Sequence, residues 1–387
     1  MGTFRETFES LFRHPLSAWS AGLLLATLNI LLFAYEKPWT ASDGLRNWGD
    51  WFFQSIGWQS QPQLLPPWFY SGSVLNAGLL VGALASALLS RQFAVRMAPS
   101  PELAKGFFGG ILMGVGAALA MGCNIGGFYS AYSAFSLSGL MMMAGLLLGA
   151  YVGSRYLVWE SERLSWMTAG KARSAWTAAT QGRSLQPWFG VLFLLLSAAA
   201  VGAYARSGFG QRGGLLLFGL LFGVILQRSR FCLVRAFREP FLTGDSEMTR
   251  AAALSVGVSA LGFAVLKSTD LRSFDAFVFP AFWQGGLLGG AVFGVGMVLA
   301  GGCGAGSIWR AGEGHVKLWC AILGFGLTIS QARRFLEEGN LAEYLGSAVY
   351  LPDRIGWPMA LGAFLVILVA WYLVAAWNEK SQRLVSM

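Results

Sequence analysis

Residues 109–127 read GGILMGVGAALAMGCNIGG, and residues 289–307, a constant 180 positions further on, read GGAVFGVGMVLAGGCGAGS. Ten of the nineteen positions are identical: Gly109/Gly289, Gly110/Gly290, Gly114/Gly294, Val115/Val295, Gly116/Gly296, Leu119/Leu299, Ala120/Ala300, Gly122/Gly302, Cys123/Cys303 and Gly126/Gly306. Composition alone gives roughly one or two matches, so the chain carries an internal duplication. Each copy supplies about 14 to 17 apolar, glycine-studded residues of helix and then breaks at Gly-Cys-x-x-Gly.

Apolar residues make up 55% of the chain and charged residues 12%, with 51 glycines and a mean hydropathy of +0.54. No soluble core buries that much apolar surface, so the chain reads as a polytopic membrane protein. Four cysteines and two histidines, with no C-x-x-C or H-x-x-x-H spacing, give neither a disulfide framework nor a metal cluster. The sequence calls for no cofactor. The net charge of +9 lies in short loops between apolar runs, where it orients helices in a bilayer and does not point to nucleic acid.

Working outward from the duplicated stretch, apolar runs predict spans at 17–34, 72–90, 106–122, 137–154, 188–205, 213–227, 250–266, 284–301, 317–330 and 356–377. The first is long for a signal peptide and has no small-x-small cleavage site after it, so it reads as a retained span. A loop to about residue 71 with Trp39, Trp48, Trp51, Trp58 and Trp68 fits the outer membrane interface. Arg91, Arg96 and Lys105, the loop 155–186 with Arg155, Arg163, Lys171, Arg173 and Arg183, and five arginines between 228 and 250 mark the cytoplasmic side. Both termini are then cytoplasmic.

The expected fold is an all-α polytopic integral membrane protein of about ten helices in a 5+5 inverted repeat, with short broken helices meeting near the midplane. Residues 1–186 hold the first repeat, the first four spans and the basic loop, and residues 187–387 the remaining spans with the second break, in a single transmembrane domain.

Irregular backbone at membrane depth survives only when buried in protein or lining a polar cavity. If each break leads into a new helix, its free N–H groups and positive dipole end face the centre and favour an anion. Thiols there suit a polarisable, sulfur-bearing anion. Candidate path residues are Cys123, Cys303, Cys232, Asn124, Gly122, Gly126, Gly302 and Gly306. The plainer alternative is that the glycines only pack helices and a cysteine is a small buried apolar residue; equivalent positions in the two copies favour function for Cys123 and Cys303. Cys320 has no such partner and reads as core.

Cys232 lies beside Arg228, Arg230 and Arg235, where cations raise thiol reactivity, or else packs behind Phe231 with the arginines as orientation charges. Arg310 and Glu313 pair after the second break or form a surface loop; with Arg230 and Arg238 they are the candidate gate or support residues. Asn124 hydrogen-bonds a substrate oxygen or satisfies broken backbone. Asn29, Gln227 and Gln284 read as interhelical contacts, and His14 and His315 receive no role.

At LAMGCN (119–124), the FC-x-x-x-AFR pattern (231–238) followed by TGD (243–245), LAGGC (299–303) and RAGEG (310–314), the chain resembles the YeeE/YedE family of bacterial inner-membrane proteins, and more closely its YedE branch. The resemblance implies an hourglass-shaped importer of sulfur compounds. In the YeeE branch thiosulfate passes between cysteine side chains; the YedE branch is linked to selenium metabolism. Carried over by motif, Cys123, Cys232 and Cys303 are the path cysteines. A soluble sulfur-carrier protein near the basic 228–250 region is the implied cytoplasmic partner.

These readings converge on a non-enzymatic permease for a small sulfur- or selenium-containing anion such as thiosulfate or a selenium oxyanion. The alternatives are a membrane relay in which Cys232 hands sulfur to a soluble carrier, and an assembly subunit with no path of its own. No G-x-x-x-x-G-K-[ST] pattern occurs, so no ATP site is expected.

Overall fold

A computed structural model describes residues 15–59, 63–164, 173–174, 185–273 and 275–385. His14, and Lys171 and Arg183 of the expected basic loop, lie outside the described residues. In chain order the helices are α1 (Ala18–Tyr35), α2 (Ser42–Ser55), α3 (Ser71–Leu89), α4 (Ser100–Leu119), α5 (a π-helical turn Asn124–Ser130 running into Ala131–Ser133) and α6 (Leu137–Arg163). They continue as α7 (Gln186–Arg206), α8 (Gly210–Ser229), α9 (Leu233–Leu242), α10 (Glu247–Ser268), α11 (Gln284–Ala300), α12 (Gly304–Gly312), α13 (Val316–Glu338), α14 (Leu351–Ile355) and α15 (Trp357–Ser381). Among the described residues the fold is all-α apart from a two-residue antiparallel pairing of Arg96–Met97 with Arg173–Ser174 and three isolated bridges.

Among the described residues nine helical segments are long and apolar enough to cross a membrane. The expected ninth span, 317–330, is the longer α13, whose last turns carry Arg333, Arg334, Glu337 and Glu338. Those charges lower its mean hydropathy without stopping the helix, because Arg333 and Arg334 pair with Glu337 and Glu338 four residues on. Three short helices, α2, α9 and α14, lie outside the expected spans and breaks. Within the tryptophan-rich loop lies α2, and α9 follows α8 after a sharp turn at Arg230, whose φ is +54°.

The repeated stretches form the centre. As residue numbers rise along α4 they fall along α11: a Cβ on Gly109 would lie 2.7 Å from Ala300 N, and one on Gly116 2.5 Å from Phe293 N. The duplicated positions return the same contacts, Gly289 with Ala120 N at 2.5 Å and Gly296 with Met113 N at 2.7 Å. The two backbones touch because no side chain stands between them. On the flanks α4 packs along α13 and α11 along α6, while α3 packs along α8 and α10 along α1.

Burial follows this arrangement. Most of α3 is buried, whereas α7 buries only Gly190 and Ser197. α7 covers α3 and α8, and α15 covers α10; their outer faces carry Trp188, Leu195, Val366 and Leu373. An apolar outer face is the low-energy surface in hydrocarbon, where no aqueous layer rewards polar groups.

Candidate functional site

Four short helices start near the centre. Their N-cap residues are Ala41 (α2), Cys123 (α5), Cys232 (α9) and Cys303 (α12). From there α2 and α5 run toward the end marked by Glu337 and Lys267, since Arg46 pairs with Glu337 and Ala134 O accepts from Lys267 Nζ. The other two run the opposite way, α9 toward Asn378 and α12 toward Glu313. All four helix starts therefore aim N–H groups without intrahelical acceptors at one region.

The two breaks have the same local geometry. Cys123 and Cys303 are both extended (φ −76°, ψ 178° and φ −88°, ψ −172°). Gly127 N–H donates to Cys123 O at 2.6 Å and Ser307 N–H to Cys303 O at 2.7 Å. The repeat thus places each thiol at the N-cap of a new helix. In the second copy Gly306 N–H also donates to Cys303 Sγ at 3.3 Å; in the first, Cys123 N–H donates to Ser42 Oγ at 3.2 Å. Gly126 leaves room for Thr40, whose Oγ1 would lie 2.6 Å from a Cβ there. Gly122 and Gly302 let the chain fold back on Gly127 and Ser307.

The segment 39–41 leads into the start of α2 and is held by buried side chains. Trp39 N–H donates to Asn29 Oδ1 at 2.8 Å, Ser130 Oγ to Trp39 O at 2.7 Å and Asn76 Nδ2 to Ala41 O at 2.8 Å. Replacing Asn76 with leucine leaves the Ala41 carbonyl only the longer bond from Leu45 N–H at 3.3 Å. The expected result is a loss of about 0.5–1.5 kcal/mol, read as a lower melting temperature of the detergent-solubilised protein.

Three of the four cysteines come together. Cys123, Cys232 and Cys303 are buried at 0–2% exposure, and Cys303 lies within electrostatic reach of the other two. A Cβ on Gly304 would stand 3.5 Å from Ala41 Cβ and 3.7 Å from Cys123 Cβ. Cys232 and Cys303 face a cavity of about 10 Å³, room for about one water. Trp39, Tyr129, Phe231 and Trp309 form its other large walls, and none of its lining side chains is charged. Asn124 rests against Cys303, yet neither of its amide atoms reaches hydrogen-bond geometry. Cys320 is not core: it is half-buried on α13.

The charged candidates take other places. Arg310 does not pair with Glu313; its guanidinium donates to Gly301 O at 2.9 Å and closes the end of α11. Glu313, fully buried, pairs with Arg230 at 3.4 Å and stands 3.6 Å from His315 Nε2. Gln227 Nε2 donates to Glu313 Oε1 at 3.1 Å and to Gln92 Oε1 at 3.0 Å, while its own Oε1 accepts from Ser86 Oγ at 2.7 Å. This network joins the end of α12 to the Arg230–Cys232 turn. Arg238 pairs with its neighbour Glu239, away from the cavity. Sequence reasoning missed Trp39, Ser42, Asn76 and Trp309 as members of the site.

Among known proteins, the sequence profile described as sulphur transport matches residues 3–152 and 228–386. The chain belongs to the sulphur transport family. Each matched block of this family carries one Gly-Cys break. "Probable transporter YedE" of Escherichia coli is 29% identical over 369 residues, covering 89% of this chain and 88% of its own length. "Thiosulfate transporter TsuA" of the same organism is 31% identical over 185 residues, 44% of this chain and 49% of its own length. TsuA of Spirochaeta thermophila is 40% identical over 112 residues, 29% of this chain and 33% of its own length. The family and the names of these relatives indicate membrane transporters, not enzymes.

Proposed function

We propose that the protein is a bacterial inner-membrane permease for a small sulfur- or selenium-containing anion, passed through the constriction of Cys123, Cys232 and Cys303. The observation that carries this reading is the meeting of three buried thiols at converging helix starts, two of them, Cys232 and Cys303, on a cavity with no charged wall. Helix starts attract the anion through partial charges, and thiols offer weak S–H donors, so binding stays loose enough for release. The relatives named for thiosulfate transport support a sulfur anion; selenium enters on resemblance alone.

We read the end holding Arg91, Arg96, Arg230, Arg235, Arg238 and Arg250 as cytoplasmic, following the excess of basic residues in short loops there. The returning contacts of α4 and α11 support an inverted repeat. Because α7 covers α3 and α8 as α15 covers α10, the packing supports a junction at 207–209 and not at 186. The relay reading needs Cys232 to meet a soluble carrier, and a thiol 2% exposed has no such reach in this state.

The test is uptake of radiolabelled thiosulfate and, separately, selenite by cells lacking their own importers. We expect Cys123→Ala and Cys303→Ala to lower the uptake of one label about tenfold at equal membrane abundance, the loss of roughly 1.4 kcal/mol. Unchanged uptake in both variants would sink the thiol path. A persulfide trapped on Cys232 during turnover would favour the relay.

A further inference from the structure

Two tryptophans that line the cavity beside the thiols carry buried donors that nothing satisfies. Trp39 and Trp309 are 2% and 0% exposed, both rings line the cavity, and neither Nε1–H has a hydrogen-bond partner. An indole N–H left unpaired in a dry interior is costly, and buried tryptophans usually find an acceptor. Here two such donors belong to rings that wall one cavity.

Both rings are held in place. Trp39 stacks on Phe222 with centroids 4.2 Å apart and planes 17° apart, and its backbone is fixed at both N–H and C=O by Asn29 and Ser130. Trp309 sits on α12 two residues after Ser307, with the Arg310 guanidinium 5.2 Å from its ring centroid. Arg310 is itself tied to Gly301 O. Donors that cannot turn away and have no internal acceptor are preorganised for an acceptor that arrives from outside.

We propose that the indole N–H groups of Trp39 and Trp309 are specificity determinants that bind the oxygen atoms of the transported anion while Cys232 and Cys303 face its softer end. The inference rests on the permease reading and deepens it. Neutral donors suit this task better than arginine, because a desolvated ion pair would hold the anion too firmly to let it pass. Asn124, against Cys303 with its amide unpaired, is the third neutral group at the same level. An anion without oxygens would leave both indoles unsatisfied, and one without a polarisable atom would gain nothing from the thiols.

The experiment compares Trp39→Phe, Trp309→Phe and the double variant with the wild type and Cys303→Ala. Phenylalanine keeps an aromatic wall and removes the N–H. The expected result is a rise of about fivefold in the thiosulfate half-saturation constant for each single variant and more for the double, with little change in maximal rate. The ligand-free melting temperature should stay level or rise, because an unpaired donor has been removed; a residue that only packs would lower it and leave half-saturation alone. If Cys303→Ala impairs uptake while all tryptophan variants keep the wild-type half-saturation, the indole subsite is wrong and the thiol path stands. If the wild type takes up neither thiosulfate nor selenite, both readings fall.

Discussion

Leucine at Gly116 or Gly289 is expected to abolish folded protein in the membrane. A Cβ at Gly116 would lie 2.5 Å from Phe293 N and 2.6 Å from Gly289 O, and one at Gly289 would lie 2.5 Å from Ala120 N and 2.6 Å from Gly116 O. These neighbours are backbone and cannot rotate aside. Relief requires α4 and α11 to separate, which also lifts α4 from α13 and α11 from α6. Overpacking a core costs about 1–3 kcal/mol where side chains can yield; separation of two helices that hold the breaks exceeds that, against a total stability of about 5–15 kcal/mol. Size-exclusion profiles of fluorescent fusions read the outcome. Gly202→Leu is the control, since nothing lies within 4 Å of a Cβ there on lipid-facing α7, and it should behave as wild type. A monodisperse Gly116→Leu peak of wild-type height would refute the close crossing.

Glu313→Gln is expected to have the second largest effect, and one that depends on pH. Burial alone would push the Glu313 carboxyl up, but His315, Arg230 and Gln227 outweigh burial and hold it below its ordinary value of 4.5. A carboxyl whose folded value is depressed adds stability above its unfolded value and loses it as pH falls through the folded one. The variant should therefore melt lower than wild type at neutral pH, and the two should converge below pH 4.5. A hydrogen bond to a buried charge contributes about 1.5–3 kcal/mol; Arg230, 53% exposed, adds little because water screens it. The same change frees the Arg230–Cys232 turn from α12, so preloaded label should leak faster. A melting difference that stays constant as pH falls from 7 to well below 4.5 would show that the carboxylate charge is not what Glu313 supplies.

The duplicated Gly-Cys stretch was legible because its evidence is local: a periodic apolar run, a break and an exact spacing. The approach of Cys123 and Cys303 follows from it, most spans follow from apolar runs to within a few residues, and Cys232 joins the two thiols only through the family resemblance. What escaped has a common cause. Residues 42–55, SDGLRNWGDWFFQS, mix polar and aromatic groups and resemble an interfacial loop; in the fold Asn47 and Asp50 are buried, Asn47 Nδ2 donating to Leu65 O and Asp50 Oδ1 accepting from Ser330 Oγ, which satisfies a polar helix at that depth. Arg310 and Glu313 are three apart and look paired, yet Arg310 finds a carbonyl nine residues back. Glu313 instead finds Arg230, 83 residues away, because the left-handed turn at Arg230 swings that side chain toward it. Trp39 and Trp309 are two of sixteen tryptophans, and no periodicity separates them from those at the membrane surface. Their roles arise from contacts between distant segments, which one chain read in order does not contain.

The cavity between the thiols, about 10 Å³ across its whole extent, also bears on the cell's energy supply. On the permease reading, a conduit that narrows there to the room of a single water, walled by indole and phenyl rings, would break a file of waters along which protons hop. A membrane crowded with such a permease would then keep its voltage.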